Sequence, residues 1–248
     1  MLTEQRKQLI LDRLKCDGRV VAKDLSAELA LSEDTIRRDL RELAAAGLLT
    51  RVHGGALPAS PTVVGLPARR VMAVEEKQKL AAAGAALVER GQTVFIDGGT
   101  TNLALVRHLP LAVEATVITH SPQIAAALEP HEGVKVILVG GTLLRHSMVC
   151  VGAAALEAVT RLRADLFFLG LTGLHAEEGG TTGDYEEAQI KRAILQRSAE
   201  VVSLLTTEKI GAVSRFLVCR ADTLSSVIVP RTVPHAALAA TGIRILEV

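Results

Sequence analysis

Apolar residues recur with a helical period in three stretches near the start of the chain. Each stretch places leucine or isoleucine three or four positions apart among charged residues, which is typical of short amphipathic helices. These stretches are 4–15, 23–31 and 32–46. Alternating apolar and polar residues follow in 48–56 and run into a pair of glycines, which predicts a β-hairpin. Three short helices and a hairpin, with few residues between the second and third helices, predict a winged helix-turn-helix domain over residues 1–56.

Residues that favour helix ends stand at the edges of these stretches. Gly18 follows the first stretch and Gly47 follows the third, and glycine is favoured just beyond the last turn of a helix. Ser32 precedes Glu33 and Asp34, so the third helix has a serine N-cap and acidic residues in its first turn. The sequence therefore predicts where each helix begins and ends.

The pattern changes at residue 73, after a segment with three prolines and no sustained period. We interpret this segment, 57–72, as a linker. Beyond it, helices alternate with short strands, several of which are continuous runs of valine, isoleucine and leucine. Such runs are typical of strands that are covered on both faces. Residues 73–248 are therefore predicted to form an α/β domain with a largely parallel sheet.

Composition and charge indicate which kinds of nucleic-acid and membrane binding to expect. The formal net charge of the 248 residues is +1 and aromatic residues make up 2%, so binding to single-stranded nucleic acid, which needs aromatic stacking, is disfavoured. Duplex DNA remains open because arginine, lysine and helix N-termini make most of its contacts. No apolar run is long enough to span a bilayer and the N-terminus has no continuous apolar segment, so we expect a cytoplasmic protein without a membrane partner.

The third helix carries the candidate DNA-binding residues. Arg37 and Arg41 are one turn apart, on the face opposite Ile36 and Leu40. The first turn of a recognition helix usually meets the base edges, and a wing can reach phosphates or the minor groove. The DNA-binding candidates are Ser32, Thr35, Arg37, Arg38, Arg41, Arg51 and His53. The alternative is that these charges only solvate an exposed face and pair with neighbouring carboxylates.

A glycine- and threonine-rich loop follows the first strand of the second domain. It reads Asp97-Gly98-Gly99-Thr100-Thr101 and leads into a helix. Glycines let the backbone approach an oxyanion, amides at the start of the helix point toward it, and threonine hydroxyls add donors. The G-K-[ST] of a P-loop is missing, so nucleotide hydrolysis is not indicated. The alternative is a tight turn between strand and helix.

Other polar residues stand after neighbouring strands or on the helix that begins near residue 185. Since the carboxyl ends of parallel strands meet at one edge of a sheet, they predict a shared pocket. These further candidates are Thr119, His120, Ser121, Gly140, Gly141, Glu187 and Lys191, together with the segment 179–182. Taken one by one, each also fits a turn or a solvent-facing ion pair.

The segment ELALSEDTIRRDLRELAAAGLLTRVHGGA resembles the DNA-binding segment of the DeoR family of transcriptional repressors, in which S-x-x-T-I-R-R-D-L and R-x-H-G-G-A recur. The resemblance extends over nearly the whole chain. It implies a homo-oligomeric repressor that binds double-stranded operator DNA and is released by a sugar phosphate or a related metabolite. It also implies a sensor domain similar in fold to ribose-5-phosphate isomerase, with the 97–101 loop as its ligand loop and Lys209 as a further ligand-binding residue.

Two departures from the family pattern fall in this predicted pocket. The family commonly has T-N-S where this chain has Thr119-His120-Ser121. The family's D-S-S-K loop reads Thr206-Thr207-Glu208-Lys209 here, which loses an aspartate and adds a carboxylate beside the lysine. Both changes leave the identity of the effector open.

Two other classes of protein are alternatives to a regulator. An isomerase-like enzyme with a regulatory helix-turn-helix could use Asp97, Glu187 and Lys209 for acid–base chemistry, and a winged-helix adaptor could bind proteins. No compact acid–base set compels catalysis, and fold does not imply function. The histidines and cysteines are scattered, so we expect no metal, no cofactor and no enzymatic activity.

Overall fold

A computed structural model describes residues 2–60 and 64–248. The predicted winged helix-turn-helix is confirmed. Its elements are α1 Thr3–Asp17, β1 Val20–Val21, α2 Ala22–Leu29, α3 Glu33–Ala45, β2 Leu49–Val52 and β3 Gly55–Pro58, with strand order β1-β3-β2. Gly18 ends α1 in the left-handed region with φ 71°, and the Ser32 hydroxyl accepts a hydrogen bond from the Thr35 amide at 3.3 Å. The predicted helix ends are therefore the observed ones to within a few residues.

One apolar core holds the small domain together. Ile10 on α1, Leu25 on α2, and Ile36 and Leu40 on α3 are at most 4% exposed and belong to one cluster. Each such side chain contributes about 1.5–3 kcal/mol on burial. Asp39, on the buried side of α3, receives hydrogen bonds from the Arg6 guanidinium, one of them 3.0 Å long between Nη2 and Oδ1. This ion pair fastens α1 to the helix that carries the DNA-binding candidates.

The second domain contains the remaining elements. Its helices are α4 Leu66–Val71, α5 Val74–Ala85, α6 Thr100–His108, α7 Pro122–Ala127, α8 Ala153–Thr160, α9 Tyr185–Leu195 and α10 Ala236–Ala239. Its strands are β4 Thr93–Ile96, β5 Ala115–Thr119, β6 Val134–Leu138, β7 Thr142–Leu144, β8 Val149–Val151, β9 Ala164–Phe168, β10 Gly173–His175, β11 Gly179–Thr182, β12 Ser198–Leu204, β13 Phe216–Cys219, β14 Ser226–Val229 and β15 Arg244–Glu247.

Seven of these strands form one sheet in the order β15-β14-β12-β9-β4-β5-β6. Every neighbouring pair in it is parallel, which confirms the predicted α/β architecture. Adjacent residues of β4 point into different cores: Phe95 packs with α8 and α9 residues, whereas Val94 and Ile96 pack with α5, α6 and α7 residues. This arrangement explains why the strands are continuous apolar runs, since both faces are covered.

The sheet reverses its direction of growth between β4 and β9. From β4 the chain proceeds outward through β5 to β6, and from β9 it proceeds outward on the other side through β12, β14 and β15. Open α/β sheets bind ligands outside the carboxyl ends of the strands at such a switch point. The glycine- and threonine-rich loop after β4 lies at this position.

Several short elements differ from the sequence-based expectation. The segment predicted as a linker contains the end of β3 and the helix α4, while residues 61–63 lie outside the described residues. The hairpin β7–β8 and the sheet β10-β11-β13 were not anticipated as strands, apart from β13. Elements of three to six residues span barely one turn or one alternation, so they leave no measurable period in the sequence.

The wing of the small domain contacts the large domain directly. The Thr50 hydroxyl donates to the Val213 carbonyl at 3.1 Å, and the Val213 amide donates to the Pro58 carbonyl at 3.2 Å. The Ser60 hydroxyl donates to the Thr172 carbonyl at 2.7 Å. The residues just after the wing are therefore hydrogen-bonded to two loops of the large domain.

Candidate functional site

The exposed face of α3 presents three arginines. Arg37, Arg38 and Arg41 are exposed, whereas Ile36 and Leu40 are buried on the opposite face. The helix period places them there, because buried residues three or four positions apart, such as Ile36 and Leu40, share one face and the three arginines fall on the other. Ser32 and Thr35 lie at the N-terminus of the same helix, where their hydroxyl oxygens are 2.9 Å apart.

The carboxylates near these arginines are largely engaged elsewhere. Asp39 pairs with Arg6, and Glu42 pairs with Lys7 at 2.9 Å. Only Arg37 has an acidic partner on the helix, Glu33 at 2.6 Å. Within residues 2–60 and 64–248, Arg38 and Arg41 form no ion pair. The alternative of a self-neutralised face therefore fits Arg37 but not Arg38 or Arg41.

The wing adds further polar residues to the small domain's surface. Arg51 is exposed on β2, and His53 is exposed in the two-residue turn between β2 and β3. A basic helix and a basic wing tip are the parts that meet duplex DNA in winged-helix proteins. The geometry of this domain is thus suited to a nucleic-acid contact.

In the large domain, Asp97 stands at the carboxyl end of β4 and is completely buried. Its Oδ1 accepts from the Gly98 amide at 2.7 Å and its Oδ2 from the Gly170 amide at 2.9 Å. A Cβ on residue 170 would lie 3.0 Å from Asp97 Oδ2, so glycine permits this close approach. Asp97 therefore ties the loops after β4 and β9 together at the switch point.

Lys191 on α9 is the main counter-charge of Asp97. Its Nζ lies 2.9 Å from Asp97 Oδ2 and 2.8 Å from Glu187 Oε1, and it donates to the Gly170 carbonyl. Burial alone would lower the pKa of Lys191, but the two carboxylates outweigh it and raise that pKa above its ordinary value. Burial would likewise raise the pKa of Asp97, yet Lys191 and the His120 hydrogen bond hold it well below its usual range.

These contacts correct one interpretation of the α9 pair. Glu187 and Lys191 are not a solvent-facing ion pair, because they are 7% and 2% exposed. Glu187 also accepts a hydrogen bond from the Ser147 hydroxyl at 3.2 Å. The i, i+4 spacing was visible in the sequence, but the inward orientation depends on Asp97, which is distant along the chain.

His120 occupies the position at which the chain departs from the family's T-N-S pattern. Its Nε2 lies 2.7 Å from Asp97 Oδ1 and its Nδ1 lies 2.8 Å from the Cys150 carbonyl oxygen. The ring is completely buried. His120 therefore holds Asp97 in place from within the core.

A small cavity, about 50 Å³ in volume, opens in front of this network. We call it the strand-end cavity. The predicted residues that line it are Gly98, Gly99, Thr100, Thr101, Glu187, Lys191 and Lys209. Gly99 precedes α6 with φ 110°, a conformation that favours glycine. It leaves the first amides of α6 without a side-chain cap, so those amides are open to a ligand.

Two lining residues have properties typical of an anion site. Thr101 is 5% exposed and its hydroxyl has no hydrogen-bond partner within the described part of the chain. Burial lowers the pKa of Lys209 to about 8, partly opposed by Glu208 and reinforced by the positive charges of Lys77, Arg69 and Lys191. An excess of positive charge in a partly enclosed space favours an anionic ligand.

Other predicted residues do not reach the strand-end cavity. Thr119 accepts from the Ser121 amide at 3.1 Å, and Ser121 donates to the Met148 carbonyl at 3.0 Å. Gly140 and Gly141 are exposed and lie outside the lining, as do residues 179–182, which form β11. Thr119 is the last residue of β5, and Ser121, Gly140 and Gly141 follow β5 and β6, which lie on the far side of β4 from β9. The strand β11 belongs to a separate sheet.

The cavity also contains residues that the sequence did not indicate. They are Arg69, Met72, Lys77, Asn102, Ser147, Gly170, Leu171, Thr172 and Leu204, whereas Glu208, which also lines the cavity, belongs to the predicted 206–209 loop. Arg69 belongs to the segment interpreted as a linker, and Lys77 to the helix that follows. The only hint of their role in the sequence is that these two basic residues lie on either side of the start of α5. No local pattern predicts that they pack over the loop that begins at Asp97.

The described residues were also compared with the requirements of a membrane span and of a metal site, and meet neither. Within 2–60 and 64–248, no helix is long and apolar enough to cross a membrane. Over the same ranges, no group of three histidine, cysteine or acidic side chains is arranged to hold a metal ion.

Comparisons with known families agree with the two halves of this geometry. A DeoR-like helix-turn-helix domain matches residues 6–62, and a DeoR C-terminal sensor domain matches residues 72–231. The first range contains the basic helix and wing. The second contains every predicted residue of the strand-end cavity.

Two curated relatives cover most of the chain. The HTH-type transcriptional regulator GlpR of Haloferax volcanii is 38% identical over 216 residues, which span 85% of this chain and 83% of that protein. The glycerol-3-phosphate regulon repressor of Escherichia coli is 34% identical over 212 residues, 85% of this chain and 84% of that protein.

Among solved structures, ribose 5-phosphate isomerase A of Methanocaldococcus jannaschii overlaps 55% of this chain and 54% of its own, with 15% identity and a TM-score of 0.41. An overlap at that level has no bearing on chemistry. The sequence relatives instead are regulators, so the alternative of an isomerase-like enzyme is set aside. The chain belongs to the DeoR family and is a DNA-binding transcriptional regulator.

Proposed function

We propose that this regulator is a repressor of a carbohydrate catabolic operon and that a phosphorylated sugar or related metabolite releases it from its operator. The observation that carries the proposal is the strand-end cavity. Uncapped amides at the start of α6 stand beside Lys191 and Lys209, as does the Thr101 hydroxyl, which has no hydrogen-bond partner among residues 2–60 and 64–248. Together these groups supply the donors and the charge that a phosphoryl group requires.

The charge balance of the cavity favours a dianion over a neutral sugar. Four basic side chains line it, Arg69, Lys77, Lys191 and Lys209, against the carboxylates of Glu187 and Glu208. Asp97, directly behind the lining, pairs with Lys191, so the local excess is one positive charge. A phosphate monoester carries about −1.5 to −2 charge at pH 7. Its binding would neutralise the excess and favour the charged form of Lys209.

Repression is supported by the name of the Escherichia coli relative, the glycerol-3-phosphate regulon repressor. The proposed partner is double-stranded operator DNA, bound through Ser32, Thr35, Arg37, Arg38, Arg41, Arg51 and His53. We assign DNA binding to residues 1–56 and effector binding to 73–248, with 57–72 between them. Operator binding implies that the protein works in the cytoplasm.

A homo-oligomer is part of this proposal. A single winged helix contacts too little DNA for useful specificity, and regulators of this kind gain it by pairing on two half-sites. We assign the contact between subunits to residues 73–248, so that the two winged helices are free to reach DNA.

A thermal-shift screen of matched pairs of sugars and sugar phosphates tests the effector. A ligand at a hundred times its dissociation constant adds about 2.7 kcal/mol to stability, which raises Tm by roughly 5–10 °C for a domain of this size. The phosphorylated member of at least one pair should stabilise the protein and its parent sugar should not. Thr101→Val should remove the shift while preserving the fold. Equal shifts from a sugar and its phosphate would contradict the proposal.

A further inference from the structure

Arg69 lies in the strand-end cavity although it belongs to the segment between the two domains. It stands near the end of α4, two positions before the helix stops. Its Nη2 donates to the His146 carbonyl at 2.8 Å. Its Nε is buried and has no hydrogen-bond partner within the described residues, as is also true of the Thr101 hydroxyl in the same cavity.

The charge of Arg69 is compensated only in part. Burial lowers the pKa of its guanidinium, and the charge of Glu187 opposes this only in part. A guanidinium does not release its proton in a protein, so the side chain remains cationic. Within residues 2–60 and 64–248 it forms no ion pair. Arg69 is half-buried, and a cation that is partly removed from water without an anionic partner is unfavourable. An anion in the strand-end cavity would relieve this cost.

The backbone around Arg69 is held firmly in place. The Lys77 ammonium, itself 6% exposed, donates to the carbonyls of Arg69 and Met72 at 2.5 Å and 2.6 Å. These bonds fix the end of α4 against α5. Lys77 therefore has a defined partner set, whereas the Nε of Arg69 remains available for a ligand.

We propose that Arg69 is a phosphate-binding residue, supplied to the sensor's cavity by the segment that joins the two domains. This inference rests on the proposed function and extends it. The planar guanidinium can donate hydrogen bonds to two phosphate oxygens at once. Arg69 would therefore bind the phosphoryl group that is held at the start of α6. The segment that leads from the wing then contributes directly to effector affinity.

Arg69 also lines a second, larger cavity, about 510 Å³, between the domains. The end of α3, at Ala44 and Ala45, and the loop that contains Ser214 form other parts of its wall. A phosphate bound to Arg69 therefore contacts a side chain that lines both the strand-end cavity and the larger cavity between the domains.

Calorimetric titration of the full chain with inorganic phosphate and with triose and hexose phosphates tests the assignment. Arg69→Gln should raise Kd for the phosphates that bind wild type by about tenfold or more, and Arg69→Lys by a smaller factor because the charge stays and the fork is lost. Arg70→Gln is the matched control, since Arg70 is exposed and lines a neighbouring recess without reaching the strand-end cavity. The Kd of Arg70→Gln for the same phosphates should stay within about twofold of the wild-type value.

The outcomes separate this inference from the proposed function. If Thr101→Val loses phosphate binding while Arg69→Gln binds as wild type does, Arg69 is not a ligand and the proposed effector site stands. If wild type binds none of these phosphates, both proposals fail. If Arg69→Gln does not fold, Arg69→Lys decides, and an unchanged Kd in that variant overturns the assignment.

Discussion

The Nζ of Lys191 lies 2.9 Å from Oδ2 of Asp97, and neither side chain is more than 3% exposed. Removing one member of such a pair leaves a buried charge without its partner, at a cost of about 3–5 kcal/mol. We therefore expect Asp97→Asn and Lys191→Met each to lower the free energy of unfolding by that amount, measured in urea at pH 7.

The double variant Asp97→Asn/Lys191→Met should be less destabilised than the two single effects added together, because the interaction between these two charges is then lost only once, while Glu187 loses Lys191 just as it does in the single variant. Glu114→Gln is a suitable control, since the ion pair between Glu114 and Arg90 is exposed and should contribute at most about 1 kcal/mol. Simple additivity in the double variant would show that the two charges do not depend on each other.

The three exposed arginines of α3 differ in their ion pairing, so their contributions to DNA binding can be compared. Arg41→Ala and Arg38→Ala should each weaken binding to an operator, selected from random duplexes, by about 1–3 kcal/mol if a base is read. If a phosphate is met instead, the salt dependence should become shallower. Arg37→Ala should have a smaller effect, because Glu33 competes for that guanidinium.

Fluorescence anisotropy at two salt concentrations distinguishes these cases. Unfolding midpoints check that each variant keeps its fold. Normal operator affinity in a folded Arg38→Ala/Arg41→Ala protein would remove the DNA contact from this face.

The lowered pKa of Lys209 predicts how the affinity for the effector depends on pH. Its pKa is lowered to about 8, so the ammonium is charged below that pH and loses its proton above it. A bound phosphate dianion prefers the charged form. Affinity should therefore be nearly constant from pH 6.5 to 7.5 and fall by about tenfold between pH 7 and pH 9.

Lys209→Arg is the matched control for this pH dependence, because a guanidinium stays charged throughout the range. Its affinity should be flat over the interval in which wild type declines. A wild-type Kd that does not change between pH 7 and pH 9 would show that Lys209 does not face the ligand.

Subunit pairing predicts both a mass and a DNA pattern. Light scattering of the full chain at micromolar concentration should give at least a dimer. Selected operators should contain two half-sites related by a two-fold axis and separated by about 10 base pairs or a multiple. A monomer that protects one half-site alone would contradict the proposed assembly.

Much of this architecture could be predicted because the period of apolar residues is a local property. Ile36, Leu40 and the runs around Phe95 and Phe167 are placed by their own segments, and the loop from Asp97 to Thr101 carries its chemistry in consecutive residues. Arg69 could not be assigned in this way. It lies in a six-residue helix, and its role depends on how α4 packs over a loop distant in sequence.

His120 is a second residue whose role depends on contacts with segments distant in sequence. Its position after β5 predicts a place near the other strand ends, but the direction of the ring, toward Asp97 and Cys150 rather than toward the cavity, depends on β8. Gly140 and Gly141 follow a strand in the same way, yet β6 is the edge of the sheet. Strand order decides which strand ends meet at one pocket, and that order is not a local property of the sequence.

Effector-controlled release from DNA tests the account most directly. The measurement is the Kd of the full chain for a selected operator, by anisotropy, with and without the sugar phosphate that gives the largest thermal shift. Linkage predicts that this compound weakens operator binding by about 1–3 kcal/mol, or roughly 5–150-fold. The parent sugar should have no effect, and Thr101→Val should abolish the response. An operator Kd that is the same with and without every bound sugar phosphate would contradict the account.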